Sequence, residues 1–285
     1  MTAAATGLVL VLTAGSVGGC QLVGGSASGG TEAGETRAGG TRADRSTTAG
    51  SSLADDPARK LRAAQLTSTF ENSTTELQYA YADDIGDGRG ITAGRAGFTS
   101  GTSDLLLVVE RYTARKPDNV LARYLPALEA VNGTDSVAGL DGFAAAWAEA
   151  AEDPLQRSVQ DELVDELYFG PAMRLASDAG VETALGQAIL WDTMIQHGAG
   201  GDNGTETIVE ETTAELGPAD GAEPAWLLAF LQIRLRHLGH MYADPEADAS
   251  SRSRVDALRT LVSRGELALD PPLTWQVYGG TYSLA

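Results

Sequence analysis

The chain has 285 residues, 43% of them hydrophobic, and a formal net charge of −19. This length allows one domain with a sizeable core, and the charge excludes nucleic acid and anionic lipid headgroups as partners held by attraction. Residues 1–54 carry three Arg against three acidic residues, so the whole −19 falls on residues 55–285. The charge favours cationic partners, although solubility alone would also explain it.

The N-terminal segment has the features of an export signal. Residues 7–19 form an apolar run that is too short to span a bilayer. The tetrapeptide Val17-Gly18-Gly19-Cys20 resembles a bacterial lipobox, so we expect residues 1–20 to be a lipoprotein signal with Cys20 lipidated. No Lys or Arg precedes the apolar run, and an ordinary secretory signal is the alternative. Cys20 is the single cysteine, so no internal disulfide is expected.

Residues 21–54 consist mainly of Gly, Ser, Thr and Ala, which cannot bury enough apolar surface to fold, and they predict a disordered linker. The folded domain is expected over residues 55–285. Asp56-Pro57 predicts a helix start, and the apolar spacing predicts a helix that ends near Glu71. Short strands are predicted at Gln78–Ala82 and Ile91–Arg95. They flank a glycine-rich turn that carries Asp87.

Beyond Thr102 the pattern is almost entirely helical. Val181–His197 holds a long apolar stretch and is predicted to be the buried central helix. Ala243–Ser251 is predicted to be an exposed loop, and Asp270–Tyr278 is predicted to be extended because of its prolines. The predicted fold class is therefore mainly α with a small β-hairpin or sheet. Other helices are predicted at 105–112, 118–130, 143–151, 155–179, 205–216, 225–242 and 253–264.

Glu71 and Asp87 form the candidate catalytic pair. Glycosidases commonly use one protonated and one ionised carboxyl group across a gap that holds sugar and water. An acid at a helix end and a second acid on a turn suit that geometry. Spacing alone is weak evidence in a chain with 39 acidic residues, and two solvated carboxylates would explain it equally well.

The sequence around this pair and further along the chain contains a series of distinctive segments. They are Glu71-Asn72-Ser73, Asp84-Ile85-Gly86-Asp87-Gly88-Arg89-Gly90-x-Thr92-x-Gly94, Gly97-Phe98-Thr99-Ser100-Gly101-Thr102-x-Asp104, Tyr124-Leu125-Pro126-Ala127-Leu128, Val131-Asn132-Gly133, Tyr168-Phe169-x-Pro171-Ala172, Gly186-Gln187 with Asp192 and His197-Gly198, Ser253-Arg254-Val255-Asp256 and Leu269-Asp270-Pro271-Pro272-Leu273-x-Trp275-x-x-Tyr278-Gly279. In this order they cover essentially residues 55–285, and together they resemble the glycoside hydrolase family 46 chitosanases.

The resemblance implies a role for each matching position. Glu71 would be the general acid, Asp87 the general base that activates water, and Thr92 the residue that places that water. Asp104 would bind a glucosamine amine, and Arg89 would orient carboxylates in the turn. A supporting network of Asp192, Arg234 and Arg254 is implied behind the catalytic acid.

The resemblance also implies a bilobal, lysozyme-like fold with a cleft between a helical major lobe and a minor lobe that holds the small sheet. Family members are inverting endo-hydrolases that use no cofactor and no metal. The expected substrate is chitosan or its glucosamine oligosaccharides. We expect a monomer that binds no nucleic acid and meets the membrane only through its lipid anchor.

Two rival functions remain open at this point. A muramidase could act on peptidoglycan through the same scaffold, although Asp104 and the acidic charge favour a cationic substrate. A surface lectin could bind chitosan without cutting it, although Glu71, Asp87 and Thr92 favour a hydrolase. The resemblance is weakest at Ile91, where family members have an aromatic residue, and at Ala243–Ser251, where the chain is longer.

The remaining candidates are weaker. His237 and His240 are spaced to lie on one helix face and could bind a metal, but satisfied or exposed histidines explain them better. Trp191, Trp226 and Trp275 are expected in the core, and Trp147 could lie either in the core or under a sugar.

Overall fold

The computed structural model describes residues 52–86, 88–241 and 245–285, with the side chains of 245–248 outside the description. Within these ranges the helices α1 to α10 dominate. Their bounds are Pro57–Asn72, Asp104–Arg115, Leu125–Val131, Phe143–Ala150, Pro154–Val164, Gly170–Ala179, Ala184–His197, Thr205–Leu216, Glu223–Met241 and Pro245–Ser263. Short 3-10 turns cover Ser100–Thr102 and Ala122–Tyr124, and a π-helical segment, Asp165–Phe169, joins α5 to α6.

A small antiparallel sheet precedes α2. Its strands β1, β2 and β3 span Ala82–Asp84, Ile91–Ala93 and Phe98–Thr99, in that spatial order. The predicted mainly helical class with a small sheet is confirmed.

The predicted strand Gln78–Ala82 is wrong except at Ala82. The carbonyl oxygen of Tyr79 instead accepts from the Trp147 indole at 2.9 Å and from the Gln160 amide at 3.1 Å. This segment is therefore held by side chains of the helical part and not by a neighbouring strand.

Helix α7 is the buried centre of the molecule, as predicted. Its N-cap is Thr183, whose hydroxyl oxygen accepts from the Gly186 N–H at 3.1 Å, and the helix begins three residues later than the prediction. Most of its side chains are buried, including Trp191 and Asp192. It packs against α1 and α6, so the core surrounds it.

The predicted loop at Ala243–Ser251 is wrong from Pro245 onward, because α10 begins there. Proline suits the first turn of a helix, where its missing N–H has no intrahelical partner. The polar composition that suggested a loop belongs to a helix whose outer face is exposed at Ala249 and Arg252.

The C-terminal tail is a β-hairpin rather than a simple extended segment. Strand β4 covers Leu273–Val277 and pairs with β5, Gly280–Leu284, so that Trp275 faces Tyr282. Leu273, Trp275 and Val277 alternate inward and bury against α10. The prolines predicted the extension, but the second strand was not predicted.

The predicted signal segment, Cys20 and nearly all of the predicted linker lie outside the described residues. Leu53 is fully buried, and its backbone N–H donates to Gln187 Oε1 at 2.7 Å. Packed structure therefore already includes Leu53, two residues before Asp55. Among the described residues, no helix combines the length and apolarity needed to cross a bilayer.

Candidate active site

Glu71 lies in the last turn of α1. Asp56 caps the start of this helix by accepting from the Arg59 N–H at 3.0 Å, and Ser73, with φ of 52°, ends it in the left-handed region. The side chain of Glu71 is 13% exposed, and its Oε1 accepts from Arg254 Nη1 at 2.6 Å. The helix end therefore presents one partly accessible carboxyl group that is fixed by a buried guanidinium.

Arg254 is in turn held by Asp192. Its Nη2 lies 2.7 Å from Asp192 Oδ1, and its Nε lies 3.1 Å from both carboxylate oxygens. Arg234 reaches the same carboxylate through Nη1 at 2.9 Å, and Thr67 donates its hydroxyl to Oδ1 at 3.3 Å. The three charged members of the network are at most 1% exposed.

The electrostatics of this network follow from one carboxylate between two guanidiniums. Burial by itself would raise the pKa of Asp192, but the charges of Arg254 and Arg234 hold it below its usual value. Burial would lower the pKa of Arg254, yet Asp192 and Glu71 raise it above its ordinary value. Asp192 and Arg254 therefore stay charged, which buried ions tolerate only when they are paired in this way.

Asp87 lies outside the described residues, but the turn around it is described. Gly86 and Gly88 both have positive φ, at 69° and 82°. Gly90 has φ of 71°, and a Cβ there would lie 2.2 Å from the Ser100 hydroxyl oxygen. The glycines of this turn are therefore required by its backbone and by the close approach of Ser100.

Arg89 belongs to the same turn. Its carbonyl oxygen accepts from the Gly101 N–H at 2.9 Å, which ties the turn to the segment just before α2. Its guanidinium lies within electrostatic reach of Tyr168. The structure therefore places the backbone of Arg89 against the segment that leads into α2.

Thr92 occupies the middle of β2, where it pairs with Asp83 on β1 and Thr99 on β3. Its side chain is buried, and its hydroxyl oxygen has no hydrogen-bond partner among the described residues. A buried hydroxyl without a protein partner is a natural site for a bound water or substrate group.

Asp104 is the first residue of α2. Its Oδ1 accepts three hydrogen bonds, from the Thr99 N–H at 2.8 Å, the Thr102 hydroxyl at 2.8 Å and the Leu105 N–H at 2.9 Å. Burial raises the pKa of Asp104 in spite of these donors. A cation placed against its other oxygen would therefore favour the ionised form.

Tyr168 is a site residue to which sequence reasoning gave no role, although it stood within the motif Tyr168-Phe169. Burial and the negative charges of Asp104 and Glu71 raise the pKa of Tyr168, and Arg89 opposes them. All three of these charged side chains therefore act electrostatically on the Tyr168 hydroxyl. Tyr168 belongs to the π-helical segment, a local irregularity that is frequent at functional sites.

The side chains beside Glu71 line a small depression between the sheet and the central helix. Leu77 and Arg95 border it on the sheet side, and Trp191 and Ile195 border it on the side of α7. Glu71 thus faces a cleft that both parts of the fold form. Trp147, which the sequence left open between core and sugar platform, is fully buried in the core.

One histidine of the pair on α9 has protein partners, and the other, His240, is exposed. His237 Nδ1 lies 2.9 Å from Asn203 Oδ1, and its Nε2 lies 3.3 Å from Glu211 Oε1. No group of three or more His, Cys, Asp or Glu in the described part of the chain is arranged to hold a metal ion.

The chain is similar in sequence to known glycoside hydrolases. Residues 65–273 match the family model described as "Glycosyl hydrolase family 46". A chitosanase of Bacillus subtilis is 43% identical over 223 residues, which is 75% of this chain and 80% of the relative. A Streptomyces chitosanase is 42% identical over 241 residues, which is 82% of this chain and 84% of the relative.

The solved structure of a Gynuella sunshinyii chitosanase in complex with chitotetraose is also similar. It superposes with a TM-score of 0.72 at 43% identity, over 80% of this chain and 97% of that one. These likenesses agree with the predicted lysozyme-like fold class, mainly helical with a small sheet.

Proposed function

The chain belongs to glycosyl hydrolase family 46, and from that premise we propose that it is an endo-acting chitosanase that hydrolyses β-1,4 linkages between glucosamine units with inversion. The observation that carries the proposal is the 2.6 Å contact between Glu71 and buried Arg254 at the edge of the cleft. A general acid must be held in one place relative to the leaving oxygen, and this contact supplies that restraint.

In the proposed reaction Glu71 protonates the glycosidic oxygen as the bond to the anomeric carbon breaks. Asp87 takes a proton from a water molecule, which attacks the anomeric carbon from the opposite face. An inverting enzyme holds its two carboxyl groups roughly 6.5–9.5 Å apart to leave room for that water. The buried hydroxyl of Thr92 would hold the water, since the described residues offer it no other partner.

Substrate recognition is assigned to the side chains around Asp104. Its carboxylate would pair with the ammonium group of one glucosamine unit, and the net charge of −19 would attract the polycation over longer distances. The charges of Asp104 and Glu71 both act on Tyr168, and its hydroxyl would contact the sugar. Arg89 would orient the carboxylates of the neighbouring turn.

The assay that tests this function measures new reducing ends from chitosans of graded acetylation, with chitin and peptidoglycan as controls. We expect release from chitosan and α-anomeric products by NMR at the first time points. Products from peptidoglycan but not from chitosan would establish a muramidase instead. Binding of chitosan with no new reducing ends would establish a lectin.

Variants of the two acids test the assigned roles. Glu71→Gln and Asp87→Asn should each lower kcat roughly 10²–10⁴-fold, with chitosan binding measured by calorimetry changed little. Asp270→Asn, on the surface of the same domain, is the control. Near-wild-type turnover in either acid variant would overturn that residue's role.

Export and anchoring are a separate proposal, because Cys20 lies outside the described residues. Lipidation at Cys20 would place the enzyme on the outer face of the cytoplasmic membrane. Cys20→Ser should move the protein from the membrane fraction to the medium. Unchanged fractionation would leave an ordinary secretory signal as the explanation.

A further inference from the structure

The C-terminal hairpin of β4 and β5 holds the last turn of α1, where Glu71 lies. The Tyr278 hydroxyl donates to the carbonyl oxygen of Phe70 at 3.0 Å, and the Trp275 indole N–H donates to the Thr69 hydroxyl oxygen at 2.9 Å. The last four carbonyl groups of a helix have no intrahelical partner. Tyr278 therefore satisfies a helix-end carbonyl directly beside Glu71.

Tyr278 also bonds to α10, the helix that carries Arg254, the second partner of the ion pair. Its backbone N–H donates to the Ser253 hydroxyl oxygen at 3.1 Å. Phe70 directly precedes Glu71, and Ser253 directly precedes Arg254. One residue thus bonds to the immediate neighbour of each partner in the 2.6 Å ion pair.

The backbone of Tyr278 is strained, and the turn does not require a tyrosine. Tyr278 has φ of 52° and Gly279 has φ of 75°, and the two form a two-residue turn between paired Val277 and Gly280. Asn, Asp or Gly normally occupies the first position of such a turn. An aromatic residue at positive φ is an outlier that persists where the surroundings hold it, often at functional sites.

The surroundings of the Tyr278 ring are those of the site. Burial raises the pKa of Tyr278, the charge of Arg254 opposes this rise, and the negative charges of Glu71 and Asp192 add to it. The hydroxyl therefore stays protonated and remains a donor over the working range of the enzyme.

From these contacts we infer that Tyr278 is a positioning residue for the catalytic acid, which it serves by fixing the relative position of Glu71 and Arg254. The inference rests on the proposed function, in which Glu71 protonates the glycosidic oxygen. Tyr278 acts through Glu71, so its loss affects proton transfer more than substrate binding.

The test compares two Tyr→Phe variants that each lose one hydroxyl bond to a backbone carbonyl. Tyr278→Phe removes the bond to Phe70, and Tyr124→Phe removes a bond of the same 3.0 Å length to the Asp141 carbonyl oxygen. We expect Tyr278→Phe to lower kcat on chitosan roughly ten-fold or more, since small misplacement of a reacting group has large effects. Its KM should stay within about two-fold, and Tyr124→Phe should keep both constants within about two-fold.

A second substrate separates an effect on the acid from a general structural effect. The 4-nitrophenyl glycoside of a glucosamine oligomer has a leaving group that departs with little help from an acid. The defect of Tyr278→Phe should shrink to within about three-fold on this substrate. An equal defect on both substrates, or no difference from Tyr124→Phe on chitosan, would overturn the inference. Thermal unfolding checks that both variants are folded at the assay temperature.

Glu71→Gln, measured in the same assays, distinguishes a failure of the Tyr278 inference from a failure of the proposed function. If it is inactive on chitosan while Tyr278→Phe behaves like Tyr124→Phe, the inference fails and the proposed function stands. If Glu71→Gln keeps near-wild-type turnover, the proposed acid is wrong, and the inference falls with it.

Discussion

Asp192 is fully buried and Asp104 is half-buried, and the pKa values of these two carboxylates move in opposite directions. Burial acts to raise both. At Asp192 the guanidiniums of Arg254 and Arg234 outweigh burial, and the pKa is lowered. At Asp104 the partners are neutral donors, two backbone N–H groups and one hydroxyl, and burial prevails.

The difference separates two walls of the proposed site. In the acid wall, defined as Glu71, Arg254, Asp192 and Arg234, the carboxylate of Asp192 is paired with two guanidiniums of the protein. The recognition wall, defined as Asp104 with Thr92 on the sheet, holds a carboxylate whose balancing cation the substrate would supply. In the proposed reaction the acid would therefore be positioned before substrate arrives, whereas the recognition wall would be completed by the ammonium group of the substrate.

The largest expected effect on stability comes from the acid wall. Asp192→Asn keeps the volume but leaves two buried guanidiniums without their shared partner, so the free energy of unfolding should fall by about 3–5 kcal/mol. Asp270→Asn is the matched control, because Asp270 pairs with Arg59 and Arg62 on the surface. There the loss should stay below about 1 kcal/mol. Urea unfolding at pH 7 measures both, and equal losses would remove the distinction between the walls.

A substitution in the recognition wall should weaken substrate binding and leave the free energy of unfolding nearly unchanged. Asp104→Asn should raise KM for chitosan about ten-fold, because a hydrogen bond between charged groups contributes about 1.5–3 kcal/mol. In the wild type, KM should rise as pH falls through the raised pKa of Asp104, since a protonated carboxyl group cannot pair with ammonium. The variant should lack this rise.

Asp118→Asn, an exposed carboxylate outside the cleft, serves as the control for Asp104. It should keep both the KM and its dependence on pH. A KM for Asp104→Asn that still rises toward acidic pH would show that another group on the enzyme binds the amine.

These contrasts also show what the sequence could predict. Local periodicity predicted most of the helices: the prediction of Thr205–Leu216 matches α8, and the central helix is α7. The helix predicted at 118–130 is wrong before Leu125, where a turn and a 3-10 segment precede α3. Periodicity failed where tertiary contacts determine the backbone conformation. The strand predicted at Gln78–Ala82 is absent because the Tyr79 carbonyl oxygen accepts hydrogen bonds from side chains of α4 and α5. The start of α10 at Pro245 was missed because polar composition resembles a loop when the helix face is exposed.

The site was predicted from the order of its motifs and not from physical spacing. The contact between Glu71 and Arg254 joins residues 183 positions apart, and no local pattern encodes such a distance. Asp192, Arg234 and Arg254 were expected together only because the family resemblance implied it. Tyr278 belonged both to the predicted extended tail and to a segment that carried the resemblance, but no role was assigned to it, since its role depends on contacts with α1 and α10.

Variants of Thr92 test whether the recognition wall also contributes to kcat. Thr92→Val keeps the shape and removes the hydroxyl, which has no partner among the described residues. We expect kcat to fall about ten-fold with stability unchanged or slightly raised, because no protein hydrogen bond is lost. Thr92→Ser restores a hydroxyl and should recover most of the rate. A Val variant with wild-type kcat would exclude water placement by Thr92.

The smallest expected effect concerns the acid wall at low pH. His197 lies near Arg234, its Nδ1 is 2.8 Å from the Asn203 carbonyl oxygen, and its Nε2 is buried. Burial, aided by the charge of Arg234, lowers the pKa of His197 to about 3. In the unfolded chain the pKa is about 6.5, so below that pH the unfolded state binds a proton that the folded state does not.

The stability that neutral His197 contributes is therefore fully present above about pH 6.5 and is lost progressively as the pH falls toward 3. His197→Gln should flatten the decline in unfolding free energy between about pH 6.5 and 4, and the exposed His240→Gln should leave it unchanged. An unaltered slope in His197→Gln would place the acid sensitivity elsewhere. Because chitosan carries its charge at mildly acidic pH, the pH range in which the substrate is a cation overlaps the range in which His197 loses its contribution to stability.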